Sequence, residues 1–202
     1  MKPAPASYRY MRSTRPVLLA FALVLATSCA GPPVNRQALG PLPTAAHVDV
    51  DRYLGRWYEI ARLPNGFEKN CEGVTADYQR RDDGLIGVLN ACRKGGPTGP
   101  LKQAEGRARI VDAETNAKLK VSFFGPFWGD YWILHIADDY SLSLVGEPSG
   151  RYLWILARTP TLSEAKKADA LLRLKSVGYD VSKLHFADQP PQPDNPQAPN
   201  GR

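Results

Sequence analysis

The residues that could do covalent or metal chemistry are few. Three cysteines (Cys29, Cys71, Cys92) and three histidines (His47, His135, His185) are spread through 202 residues, with no metal-ligand spacing among them. No Gly-x-Ser-x-Gly elbow, Walker loop or dinucleotide fingerprint is present, and Ser149-Gly150 in a turn signal replaces none of them. The sequence therefore offers no catalytic residue, no metal site and no cofactor site. An enzyme would have to rely on a reactive thiol at Cys71 or Cys92, and the expectation is that the protein is not an enzyme.

Cys29 has a different context. A cationic stretch ending at Arg15 precedes an apolar run from Val17 to Ala26, and Thr27 and Ser28 lead into the cysteine. This is the layout of a secretory signal over residues 1–28, starting at Met1 or Met11. About ten apolar residues fall short of the roughly 20 that span a bilayer. Ala26-Thr27-Ser28-Cys29 resembles the lipobox of bacterial lipoproteins, with Ala26 where leucine is commonest. The resemblance implies an acylated Cys29 at the mature amino terminus, and several acyl chains hold a protein on a membrane stably. Ala30 lacks the aspartate that retains such proteins at the inner membrane, which implies anchoring at the bacterial outer membrane with a periplasmic domain. The alternative is ordinary cleavage beside an incidental cysteine.

The same leader accounts for most of the basic charge. Of the formal +6, four units are Lys2, Arg9, Arg12 and Arg15, within a segment that has no Asp or Glu. A nucleic-acid partner loses its main support. With Cys29 assigned to lipid, Cys71 and Cys92 remain as one candidate pair in an oxidising compartment, closing a loop worth about 3 kcal/mol; otherwise both are free core thiols.

The elements that must position anything else are mostly short strands. Residues 29–46 are rich in Pro, Gly and Ala and read as a flexible tether, and residues 188–202 read as a disordered Pro-rich tail. Between them, residues 47–187 form one domain. Lys118-Leu119-Lys120-Val121-Ser122-Phe123 alternates apolar and polar, and Ala104, Gly106, Ala108 and Ile110 share one face of another strand. Asp82-Asp83-Gly84, Asp138-Asp139 and Pro148-Ser149-Gly150 divide further strands in hairpin order, giving about eight. A late helix should start at a Thr161/Glu164 capping box, bury Ala165, Ala168, Leu171, Leu172 and Val177, and stop at Gly178. A short strand, 183–186, should follow on an edge. Eight strands hide their edges in a closed barrel or a two-sheet sandwich, and the pattern alone does not choose.

Longer strings choose. Gly55-Arg56-Trp57-Tyr58 within residues 52–62, Gly129-Asp130-Tyr131, and Arg158 after Tyr152-Leu153-Trp154-Ile155-Leu156 resemble the three ordered motifs of the lipocalins. Together with Val121–Phe127, they are most similar to the bacterial branch related to apolipoprotein D. The resemblance implies an all-β, eight-stranded antiparallel up-and-down barrel with one α-helix packed outside. It gives Gly55, Trp57, Gly129, Asp130, Tyr131 and Arg158 structural roles, with Arg158 stacked on Trp57 across the narrow end and Gly55 and Gly129 easing the backbone.

A small barrel lined by every second side chain can enclose one small molecule. The expected wall is Ile86, Val88 and Asn90; Ala104, Ala108 and Ile110; Leu119, Val121 and Phe123; and Tyr131, although Tyr131-Ile133-His135 and Trp132-Leu134 are both largely apolar and leave that phase open. Such a lining suits a fatty acid or lysophospholipid, and the expected role is to bind it and to transport or store it in the envelope. Two other readings are a structural or stress module with a filled barrel, and the thiol enzyme. Two copies could pair. The aromatic run Phe123–Trp128 either caps the barrel core or forms a loop touching membrane or ligand.

Overall fold

The computed structural model describes Met1, residues 34–37 and residues 39–190. The rest of the leader, Cys29 and the tail from 191 onward lie outside the described residues.

Eight antiparallel strands follow one another: β1 (Gly55–Arg62), β2 (Cys71–Arg80), β3 (Ile86–Lys94), β4 (Leu101–Ile110), β5 (Lys118–Ser122), β6 (Gly129–Ile136), β7 (Leu142–Gly146) and β8 (Leu153–Ala157). Each pairs with the next, and β1 pairs with both β8 and β2, so the sheet closes into a barrel. The pairing of β1 with β2 covers only Gly55–Tyr58. Beyond it a short β9 (His185–Phe186) adds to β1 through Ala61 and Arg62. The hairpin turns form where short acidic side chains can bond the backbone ahead of them. Asp83 accepts from the Leu85 amide at 3.1 Å, and Asp139 from the Ser141 amide at 2.9 Å.

One end of the barrel is plugged. A one-turn helix α1 (Val50–Tyr53), capped by Asp49, lies across it. The four loops at the other end, residues 63–70, 95–100, 123–128 and 147–152, frame a mouth. Helix α2 (Glu164–Ser176) lies outside, where Ala170 and Leu174 join Ile60, Leu142, Leu144, Leu153 and Ile155 in an outer core.

Local readings of the sequence change here. The α2 cap is Ser163, which accepts from the Lys166 amide, because the Thr159 hydroxyl donates to the Thr161 carbonyl at 2.7 Å and fixes that residue in the preceding turn. Ala165, Ala168 and Leu172 are exposed, and the buried stripe runs through Ala170 and Leu174. Gly178 ends the helix region at φ +93°, a left-handed cap. Residues 34–37 and 39–46, read as tether, run along the barrel wall. The Val34 amide donates to Ser149 O, Gln37 to Gly178 O and Ala45 to Ile133 O, each at 2.8–2.9 Å, and Leu42 is buried. Arg36 is 8% exposed, its guanidinium donating to the carbonyls of Val177 and Gly40.

Candidate functional site

The interior of the barrel is graded from floor to mouth. At the plugged end Trp57, Ala108 and Ala117 are fully buried, and Ile133 and Val145 on the wall above them are at most 1% exposed. Toward the mouth the inward residues open up: Ala76, Asn90, Val121, Phe123 and Trp154 are only half-buried and Ala104 is exposed. The small residues of β4 make part of that room and give part of it back. A Cβ on Gly106 would come within 2.8 Å of the Phe123 ring, so that ring lies across β4 where no side chain stands.

The sequence-predicted wall residues converge. Ile86, Val88, Ala108, Leu119 and Tyr131 belong to one buried cluster, with Ile110, Val121 and Phe123 packed against it. The open phase of β6 resolves with Tyr131 and Ile133 inside and Trp132 and Leu134 in the outer core. A register shift between Ile133 and His135 breaks the alternation, and His135 faces α2 beside Arg173 and Leu174.

Asn90 sits in the middle of this wall. Its neighbours in register are Ala76 on β2 and Ala104 on β4, so it stands in a saddle of small residues. Its Oδ1 is buried without a hydrogen-bond partner among the described residues. An unmet buried acceptor costs about 1–3 kcal/mol, a cost that a ligand's N–H or O–H can remove.

The floor is polar but uncharged. Tyr131 Oη lies 2.8 Å from Tyr53 Oη and accepts from Tyr78 Oη at 2.9 Å, and Ser143 Oγ lies 3.2 Å from Tyr53 Oη. Burial pushes the Tyr53 phenol up to about 12 and raises Tyr78 and Tyr131 as well, so the network stays protonated. Beneath it Arg158 stacks on Trp57 with its guanidinium carbon 3.8 Å from the ring centroid. The same guanidinium donates to the carbonyls of Arg52, Tyr53, Leu54 and Arg56 at 2.6–3.1 Å, which closes the end of α1. Every hydrogen bond it makes is to backbone, which makes it a lid. Gly55 has φ +89° and requires glycine there. Gly129 has open space for a Cβ and no positive φ, so the backbone does not need glycine at that position. Asp130 pairs with Lys120 at 2.8 Å.

One cluster near the mouth was not foreseen. Arg62 donates to Glu59 Oε1 at 2.5 Å and to the carbonyls of Glu68 and Cys71, and its Nε lies 3.8 Å from Glu68 Oε2. The Trp154 indole donates to Glu68 Oε2 at 3.2 Å, and Phe67, from the same loop, packs with a tilted ring against Tyr152 and Trp154. Two buried carboxylates thus share one guanidinium. Desolvation, then repulsion from Glu68, pushes the Glu59 carboxyl well above the usual range. Glu59 and Arg62 are three apart and would oppose each other on a regular strand. The β1 register shift between Glu59 and Ala61 brings them together, and the only sequence signal was two charges in an otherwise apolar strand end. Cys71 and Cys92 form a disulfide joining β2 to β3, with Cα atoms 5.4 Å apart.

Residues 48–189 match the family model for the lipocalin-like domain. The chain belongs to the lipocalin family. It is 42% identical over 180 residues to the outer membrane lipoprotein Blc of Escherichia coli K12, an alignment covering 89% of this chain and 99% of that protein. It is 41% identical to temperature-induced lipocalin-1 of Arabidopsis thaliana over 162 residues, 76% of this chain and 84% of the relative. It is 38% identical to rat apolipoprotein D over 162 residues, 75% and 82% of the two chains. Among solved structures, insecticyanin from the tobacco hornworm superposes with a TM-score of 0.61 at 22% identity, covering 78% of this lipocalin and 87% of insecticyanin. That likeness speaks to the barrel.

Proposed function

We propose that this lipocalin is an outer-membrane lipoprotein, anchored through Cys29, whose barrel binds one fatty acid or lysophospholipid and carries or stores it in the envelope. The observation that carries the reading is Asn90. An unpaired acceptor buried in a wall of alanine, valine and phenylalanine has no use in a filled core, and it suits an amphiphile that brings apolar surface and one donor together. The half-buried faces of Val121, Phe123 and Trp154 supply apolar surface for a chain. Each enclosed methylene contributes about 0.8 kcal/mol, so ten of them give about 8 kcal/mol gross, and micromolar affinity survives the ordering cost.

The anchor is supported by the lipobox-like residues before Cys29 and by relatives named outer membrane lipoproteins that align over nearly their whole length. A binding role is supported over the thiol-enzyme alternative by the Cys71–Cys92 disulfide, which takes up the two thiols that such chemistry would use. Equilibrium titration of delipidated protein with palmitate and with lysophosphatidylethanolamine tests the reading. Saturable one-to-one binding at micromolar concentration is expected, and a flat titration with both would overturn it.

A further inference from the structure

We propose that the barrel sits mouth-down on an anionic phospholipid surface, with the tip of the 123–128 loop in the lipid interface, so that its ligand passes between bilayer and barrel without crossing water. Three independent observations converge on this orientation, which rests on the anchored, lipid-binding reading above.

The first is where the chain leaves the barrel. Val34 is tied to the rim itself, its amide donating to Ser149 O at 2.9 Å in the 147–152 loop. That loop is stiff: the buried Glu147 carboxylate accepts from the Ser149 hydroxyl and from the amides of Ser149, Arg151 and Tyr152. Cys29 precedes Val34 by five residues, which reach at most about 18 Å even when fully extended. An acyl group on Cys29 therefore holds the mouth, and not the plugged end, beside the membrane.

The second is what the mouth presents. Phe124 is 80% exposed and Phe127 76%, on a loop whose neighbour Trp128 is stacked under Arg109 at 4.5 Å. Phe67, 56% exposed, stands on the opposite lip. Projecting phenyl rings beside cationic and indole side chains match the composition of a membrane interface, where apolar rings enter and charges stay at the headgroups.

The third is charge. The four mouth loops contain two carboxylates, Glu68 and Glu147, and both are buried, whereas Lys69 and Arg151 are exposed there. On the outer face of β4, Arg107 and Arg109 reach up to the Trp128 ring of the 123–128 loop, with Glu105 the one exposed carboxylate beside them. The turns at the plugged end lean the other way: Asp82, Asp83, Glu114, Asp138 and Asp139 are all exposed, against one exposed cation, Arg81, which pairs with Asp83. An anionic surface attracts the first end and repels the second.

The test uses the acylated mature chain in vesicles of phosphatidylethanolamine and phosphatidylglycerol brominated on one acyl chain. Tryptophan is added at either end, as Phe127→Trp or Val111→Trp, with the native protein as baseline. At least half of the emission added by Phe127→Trp should be quenched, and that added by Val111→Trp left unchanged; equal quenching at both ends, or quenching only at position 111, would overturn the orientation. In a second arm, unacylated chain from residue 29 carrying Cys29→Ser is sedimented with the same vesicles. Phe124→Ser/Phe127→Ser should weaken that binding at least tenfold while palmitate affinity in vesicle-free buffer stays within threefold. Unchanged sedimentation, or loss of palmitate together with vesicles, would count against the loop as a membrane contact. Quenching at position 127 in a protein that binds no palmitate would uphold the orientation and remove the ligand reading alone.

Discussion

Asn90 carries a cost that its neighbours do not, and that cost should be separable from its use. Asn90→Val removes the unmet acceptor and keeps a side chain suited to a strand. The ligand-free protein should gain about 1–2 kcal/mol in chemical denaturation, while affinity for lysophosphatidylethanolamine drops about tenfold, the worth of one hydrogen bond. The Glu59–Arg62–Glu68 cluster offers a second test. Arg62→Met leaves two buried carboxylates without their cation and should cost about 3–5 kcal/mol. Because the Glu59 carboxyl is raised in the folded state, folding takes up a proton there. Its contribution is fully present below the unfolded carboxyl's range and is lost as pH rises through the folded one. Denaturation of Glu59→Gln between about pH 5 and pH 8 should therefore show a shallower loss of stability with rising pH than the unsubstituted protein.

The elements were legible where one face is wet. The Lys118–Phe123 alternation and the small-residue face of β4 lie inward as the sequence indicates, because each has polar side chains opposite. Strand β6 could not be phased from its residues, since α2 covers its outer face and makes Trp132 and Leu134 as buried a choice as Tyr131 and Ile133. Register shifts in β1 and β6 leave no periodic mark, so the Glu59–Arg62 pair and the outward turn of His135 were invisible. Residues 34–37 and 39–46 read as loose chain because backbone hydrogen bonds, the Arg36 side chain and the lone buried Leu42 hold them, and a single apolar anchor creates no period. For α2, Leu174→Ala should cost about 2–4 kcal/mol in thermal or chemical unfolding, and Leu172→Ala close to nothing, which separates the observed buried stripe from the one the sequence suggested. Reduction of the Cys71–Cys92 disulfide should cost about 3 kcal/mol, since it ties β2 to β3 across a separation of 21 residues.

At the scale of the whole molecule, the barrel divides into a packed half and an accessible half. Trp57, Arg158 and the tyrosine network seal one end, and the aromatic lip of Phe67, Tyr152 and Trp154 borders the other. The inward faces that stay half-buried or exposed lie in the second half, which is where the proposed ligand would be held. Native mass spectrometry of the protein released from its own envelope in mild detergent measures this directly. The predicted spectrum shows one fatty acid or lysophospholipid per chain, lost when Ala104→Trp fills the saddle beside Asn90. Bare protein alone, or an adduct that Ala104→Trp leaves in place, would contradict a ligand held inside the barrel.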